Sequence, residues 1–265
     1  MFSYSKVNCF NTCPYKYKLT YLDKLKPIPD ERPNNALFIG TACHTGIEKR
    51  SVEEAVKDYK SNYKELGRLH EIEIFKLETI LPKAIKDIPE GEYEYKLKAD
   101  DGFIGYIDCL VPVSEGVYDL LDFKTTNNIG GYKRSGQIHI YKYYYEKLTG
   151  NKIRDIYYVF IPKFNDTLNE SLSDQEIKDR IIEYFSDKEI HFEKIEFDKK
   201  QIGYFFARKT LMDKAVEFPK RPSPSCSFCE YKKYCLTNGE DTSELLKEEP
   251  IKEEIKKEVV EESLF

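Results

Sequence analysis

No stretch of this chain is apolar for long enough to cross a bilayer. Its opening, MFSYSKVNCFNTCPYKYKLTYL, lacks the apolar core of a secretory leader. Tryptophan is absent, methionine occurs twice and histidine four times, so a site that needs imidazole has few candidates. There is no G-x-x-x-x-G-K-[ST] loop, which excludes a built-in nucleotide motor of that type. No internal repeat is present. Without leader or span, a cytoplasmic location and no membrane partner are expected. The seven cysteines are then reduced or metal-bound rather than paired.

What is there is a 265-residue chain, 40% hydrophobic and 34% charged, within the range of soluble globular domains. The net charge of −5 is unevenly placed. Residues 237–265 hold ten acids and four lysines, a net of −6, which leaves 1–236 at +1. The expected organisation is therefore one domain over 1–236 and an acidic, disordered tail over 237–265. A balanced body can hold both a basic cleft and a cluster of carboxylates. The 21 Tyr and 16 Phe can stack on bases, but most are expected in the core.

The hydrophobic period changes along the chain. Short helical signals over 11–22 give way to Pro27, Pro29 and Pro33. Helices are expected over 35–63 and 68–85. Residues 92–98 alternate like a strand, Asp101-Gly102 is a hairpin turn, and 103–111 is a second strand. Ser114-Glu115-Gly116 turns into a third strand over 117–123. A helix over 133–148, a fourth strand over 153–161 beside the third, and helices near 173–186 and 199–216 follow. The fold class is α/β, a mixed central sheet flanked by helices.

The chemistry-bearing stretch is Gly105-Tyr-Ile-Asp108 followed by Leu120-Leu-Asp122-Phe-Lys124-Thr125. Asp122 and Lys124, two apart on a strand, face one way, and the hairpin can bring Asp108 beside Asp122. A lone D-x-K is ordinarily a surface ion pair. Here both Asp residues interrupt apolar strands, where an unpaired charge is costly. Two carboxylates and an ammonium on one face suit Mg²⁺ or Mn²⁺. Glu94, on the preceding strand, is expected to be solvated, and His139 to be structural.

These two strands resemble the active-site strands of the PD-(D/E)XK nucleases, specifically the RecB-like branch. The resemblance runs from Ser3 to Cys235. Gly40-Thr-Ala-Cys-His44 is similar to that branch's upstream histidine motif, and Gln137-Ile-His-Ile-Tyr141 to its Q-x-x-x-Y helix. It implies a restriction-endonuclease-like fold and a metal-dependent DNA exonuclease. His44, Asp108 and Asp122 would bind metal, with the carbonyl of Phe123 completing the shell. Lys124 would be catalytic, and Gln137 and Tyr141 would position substrate.

Cys226-Ser-Phe-Cys229-Glu-Tyr-Lys-Lys-Tyr-Cys235 has metal-ligand spacing and by itself suits either zinc or a [4Fe-4S] cluster. The resemblance implies the cluster. Iron–sulphur members of the branch take one cysteine from an early C-P dipeptide, here Cys13-Pro14, and three from a C-terminal C-x2-C-x5-C, here Cys226, Cys229 and Cys235. Cys9 competes with Cys13, and Cys43 and Cys109 read as buried small residues.

The terminal Ser263-Leu264-Phe265 is similar to the peptide by which bacterial DNA enzymes bind a sliding clamp, although Glu261 and Glu262 depart from its pattern. A helicase or other DNA-processing protein is a further expected partner. Two other readings remain at this stage: a catalytically silent DNA-binding module, and a zinc-stapled interaction domain.

Overall fold

The computed structural model describes residues 1–165 and 172–246. Among these, helices α1 (Tyr4–Thr12) and α2 (Pro14–Tyr17) open the chain, and a π turn, Lys18–Leu22, prolongs the second. Three helices follow: α3 (Ala36–Glu48), α4 (Val52–Ser61) and α5 (Arg68–Asp87). Then come β1 (Glu92–Lys98), β2 (Ile104–Ser114) and β3 (Val117–Thr125). A short α6 (Ile129–Tyr132) leads into α7 (Gln137–Thr149) and β4 (Lys152–Ile161). The described chain finishes with α8 (Asp174–Ser186), β5 (His191–Ile195), α9 (Lys200–Asp213), a 3-10 turn (Pro224–Phe228) and α10 (Lys232–Leu236).

The five strands form one sheet in the order β1-β2-β3-β4-β5. The first three are an antiparallel meander, β4 runs parallel to β3, and β5 is antiparallel to β4. Passing from β3 to a parallel neighbour needs a crossover, and α7 supplies it. The mixed α/β class expected from the sequence is what the chain adopts.

The sheet has a core on each face. On one side α3, α4, α5 and α8 pack Ile47, Leu81 and Ile181 against Cys109, Leu121, Phe123 and Val159. On the other, α1, α7 and α9 pack Val7, Ile140, Tyr144 and Phe205 against Leu110, Leu120, Tyr158 and Phe160. Truncating one such residue, Leu81→Ala for instance, costs about 2–5 kcal/mol through lost burial and the cavity left behind. Gly46 lets α3 and α4 touch, since a Cβ there would lie 2.8 Å from that of Ala55.

Several elements differ from their sequence expectations. The helix expected over 35–63 is two helices. Arg50 adopts a left-handed φ of 51°, and the Ser51 hydroxyl caps α4 by accepting from the Glu54 amide. The helix expected over 133–148 begins at Gln137, after the separate turn of α6. Strand β5 had no clear sequence signal, because His-Phe-Glu-Lys-Ile is a short edge segment rich in charge. At the C-terminal side, Ile28 N donates to Glu244 O and Leu246 N to Lys26 O, each at 2.8 Å. The start of the segment expected as a tail therefore packs on the body, and residues 247–265, with Ser263-Leu264-Phe265, lie outside the described residues.

Candidate active site

The site lies where the sheet splits. Strands β1 and β2 stay paired from Lys98↔Ile104 to Glu92↔Leu110. Pairing between β2 and β3 begins only at Cys109↔Leu121 and runs toward their shared turn. Beyond that point the 104–108 half of β2 leaves β3, and Asp122 to Thr125 pair with β4 alone. At the split the facing of β1 and β2 also switches. Tyr93 and its partner Cys109 lie on the α3–α5 side, whereas Tyr95 and its partner Ile107 lie on the α7 side. Strict alternation would put residues two apart on one face. The intervening Glu94 absorbs the change with a left-handed φ of 51°, a conformation that costs energy in a residue with a Cβ.

The notch so opened collects the polar groups. Asp108 is opposite Asp122 in the continued register, and its Oδ2 accepts from the Phe123 amide at 2.6 Å. That amide would otherwise belong to the interrupted ladder. Asp122 is 1% exposed. Its Oδ2 is paired with the Lys124 ammonium. Lys124 lies over the rings of Tyr132 and Tyr158 at 5.6 and 5.8 Å.

From the α3 side comes His44. Its Nδ1 is 3.9 Å from Asp108 Oδ1, and its ring meets that of Phe123 edge-on at 5.6 Å between centroids. From the α7 side comes Tyr141, whose hydroxyl accepts from Gln137 Nε2 at 3.0 Å. Tyr141 reaches the sheet because position 105 is glycine: a Cβ there would lie 2.9 Å from Tyr141 Cε1 and 3.2 Å from the Phe103 ring.

Glu94 is the residue that sequence reasoning undervalued. It is exposed, as expected of a solvated strand residue, but donor atoms of His44, Glu94 and Asp108 all lie within 4.8 Å of one another. Its position directly across from Asp108, two residues after the turn into β1, is the signal that could have found it. Glu48, one turn past His44, instead pairs with Lys49 at 2.7 Å.

Electrostatics follow from crowding. Burial, then the neighbouring Asp122, push Asp108 well above the usual carboxylate range. Burial, then Glu48, raise Glu94. Burial disfavours the Lys124 ammonium, but the Asp122 and Asp108 carboxylates outweigh it and its pKa is raised. Burial, then Lys124, lower that of His44, so the imidazole is neutral and free to ligate. A neutral imidazole beside two carboxylates strained toward protonation, with donor atoms of His44, Glu94 and Asp108 within 4.8 Å of one another, is a donor set that fits a divalent cation.

The segments that carry the terminal cysteines meet at one end of the domain. The Cys13 Sγ caps α2 by accepting from the Lys16 amide at 3.5 Å. The loop carrying Cys226, Cys229 and Cys235 docks on this end of the chain. Tyr15 N donates to Pro219 O at 3.3 Å, Lys16 pairs with Glu230 at 2.7 Å, and the Tyr231 hydroxyl donates to Leu25 O at 2.9 Å. Burial, which acts first, pushes the Cys9 thiol up to about 11 and raises that of Cys235. Cys43 and Cys109 are fully buried as expected, and burial pushes their thiols up to about 11 and about 12. His139 is structural, as expected: its Nδ1 accepts from the Asp198 amide at 3.2 Å.

No helix among the described residues is long and apolar enough to cross a membrane. Residues 1–236, from the first helix through the cysteine loop, match the family model of the PD-(D/E)XK nuclease superfamily. No curated protein matches the chain.

Proposed function

Because the chain belongs to the PD-(D/E)XK nuclease superfamily, which implies a metal-dependent nuclease acting on DNA, we propose that it is an exonuclease of the RecB-like branch working in DNA processing, repair or recombination. The observation that carries this reading is the gathering of His44, Glu94 and Asp108 donors beside the Asp122–Lys124 pair.

His44, Asp108 and Asp122 hold Mg²⁺ or Mn²⁺, with Glu94 at the rim and the Phe123 carbonyl as a backbone ligand. The ion, when bound, polarises a phosphate oxygen and lowers the pKa of a water. Lys124 orients the attacking water and offsets the charge that develops on the phosphate. Asp122 keeps the ammonium in place, and the rings of Tyr132 and Tyr158 confine it. Gln137 and Tyr141 fix the wall of the notch against which the scissile phosphate rests. The raised pKa of Tyr141, caused by burial, keeps its phenol neutral.

Cys13, Cys226, Cys229 and Cys235 hold a [4Fe-4S] cluster that staples the two ends of the domain. The C-x2-C-x5-C spacing of the last three and the early Cys13-Pro14 dipeptide support this reading. With no P-loop in the chain, unwinding is either absent or supplied by a partner, for which a helicase or other DNA-processing protein is proposed. Ser263-Leu264-Phe265 remains a proposed clamp contact.

The test is digestion of end-labelled single- and double-stranded DNA by anaerobically purified protein with Mn²⁺, Mg²⁺ or EDTA, beside Lys124→Ala. Metal-dependent shortening from an end, lost in the variant, supports the reading. Inert protein with its cluster intact would overturn it in favour of a silent binding module.

A further inference from the structure

Tyr4, at the first position of α1, reaches across to the start of α7. Its hydroxyl accepts from the Gly136 amide at 3.0 Å and lies 3.4 Å from Ser135 Oγ. Ser135 Oγ in turn accepts from the Gln137 amide at 3.3 Å, and the Ser135 amide donates to Tyr132 O at 2.8 Å. One phenol therefore holds a run of backbone with Tyr132 at one end and Gln137 at the other. Both ends face the notch: the Tyr132 ring lies against the Lys124 ammonium, and Gln137 bonds the Tyr141 hydroxyl. We propose that Tyr4 is a positioning residue of the nuclease site, whose hydroxyl fixes the start of α7 and with it the places of Gln137 and Tyr132 beside Lys124. The inference rests on the nuclease reading above. Tyr4 acts through these residues and not on the substrate.

The start of α7 needs such an anchor. Its N-cap is Gly136, which has no side chain to satisfy the first amides of the helix. Gly136 is buried, so its own amide needs a partner within the protein, and the phenol is that partner. Tyr4 is itself held in place. Its ring stacks on that of Phe205 in α9, with 6.0 Å between centroids and 16° between planes. Phe205, 3% exposed, also packs on Phe2 and Phe103. A ring locked by packing brings its hydroxyl to a defined point. The far end of α1 is fastened as well, because the Arg221 guanidinium donates to Asn11 O. Released from this anchor, Gln137 and Tyr132 can drift, and a shift of about 1 Å in groups that line a reacting phosphate is enough to slow its chemistry.

Tyr4→Phe keeps the stacked ring and removes the hydroxyl. Hydrogen exchange of full-length, anaerobically purified protein, read by mass spectrometry, reports the anchor without any need for cleavage. The segment 132–141 should exchange about fivefold faster or more in the variant, with α3 unchanged. In cleavage of end-labelled DNA, kcat should fall about tenfold while KM and Mn²⁺ affinity stay as in the parent. In a Gln137→Ala background Tyr4→Phe should cost little more, because the two act through one group. Tyr63→Phe removes a different phenol bond, that to Arg32 O at 3.1 Å, and should cleave like the parent. Unchanged exchange over 132–141, weaker Mn²⁺ binding in step with kcat, fully additive losses with Gln137→Ala, or an equal loss in Tyr63→Phe would each overturn the proposal. A parent that never cleaves removes the nuclease reading. Exchange then decides alone: faster exchange in Tyr4→Phe supports the anchor, and unchanged exchange overturns it.

Discussion

Asp108 takes its hydrogen bond from the backbone amide of Phe123, the residue between Asp122 and Lys124, at 2.6 Å. A side chain of β2 thus replaces the ladder bond that β2 gave up when it left β3. The Asp108 carboxylate and the strand split are one feature: the charge has room because the strands part, and the bare amide is satisfied because the charge is there. Removing either partner changes both.

Asp108→Asn should abolish metal-dependent cleavage while making the metal-free protein more stable. The raised pKa of Asp108, due first to burial and then to Asp122, means that the folded state holds this proton more tightly than the unfolded chain. The stabilisation is full below the unfolded carboxylate value of about 3.9 and is lost as pH rises through the raised folded value. Melting temperatures of chelated protein should therefore rise on acidification from neutrality more steeply in the parent than in the variant. Parallel pH profiles would contradict this.

Glu94→Gln tests the residue that the sequence left in solvent. It should weaken Mn²⁺ binding about tenfold or more, read by titration of a bound-Mn²⁺ signal. Unaltered affinity would return Glu94 to the solvated surface.

Gly105→Ala introduces a methyl that must displace Tyr141 or Phe103. Overpacking of this kind costs about 1–3 kcal/mol, which denaturant unfolding measures. Because Tyr141 is the group that must move, loss of cleavage should exceed what the unfolded fraction explains. Tyr141→Phe should restore little, since the ring rather than the hydroxyl makes the clash.

Cys13→Ser, Cys226→Ser, Cys229→Ser and Cys235→Ser should each lose iron and acid-labile sulphide, whereas Cys9→Ser should keep both. Metal and sulphide analysis of anaerobic protein decides. Retention by Cys13→Ser with loss by Cys9→Ser would transfer the fourth ligand one helical turn back.

Legibility followed locality. Strands β1 to β4 were readable because their alternation and turns are written within a few residues, and the order of the sheet followed from the meander. Asp108, Asp122 and Lys124 were readable because charge inside an apolar strand is costly anywhere. Glu94 was not, because its place beside His44 and Asp108 arises from a face switch between two strands that alternation by definition hides. The break at Lys49–Ser51 could have been seen: Ser51-Val-Glu-Glu54 carries a capping signature inside an otherwise continuous helical pattern. Strand β5 is held by its pairing to β4 rather than by its own residues. The bond from the Gly136 amide to Tyr4 joins residues 132 positions apart, and nothing local announces it.

The bonds that close the cysteine end join residues separated by 204 to 214 positions. In a chain emerging from the ribosome, the carboxylates and Lys124 are made long before Pro219 to Leu246 arrive to fasten α2 and the segment around Lys26 to Ile28. The carboxylate–lysine notch is thus encoded well before the segment that fastens the first helices of the domain.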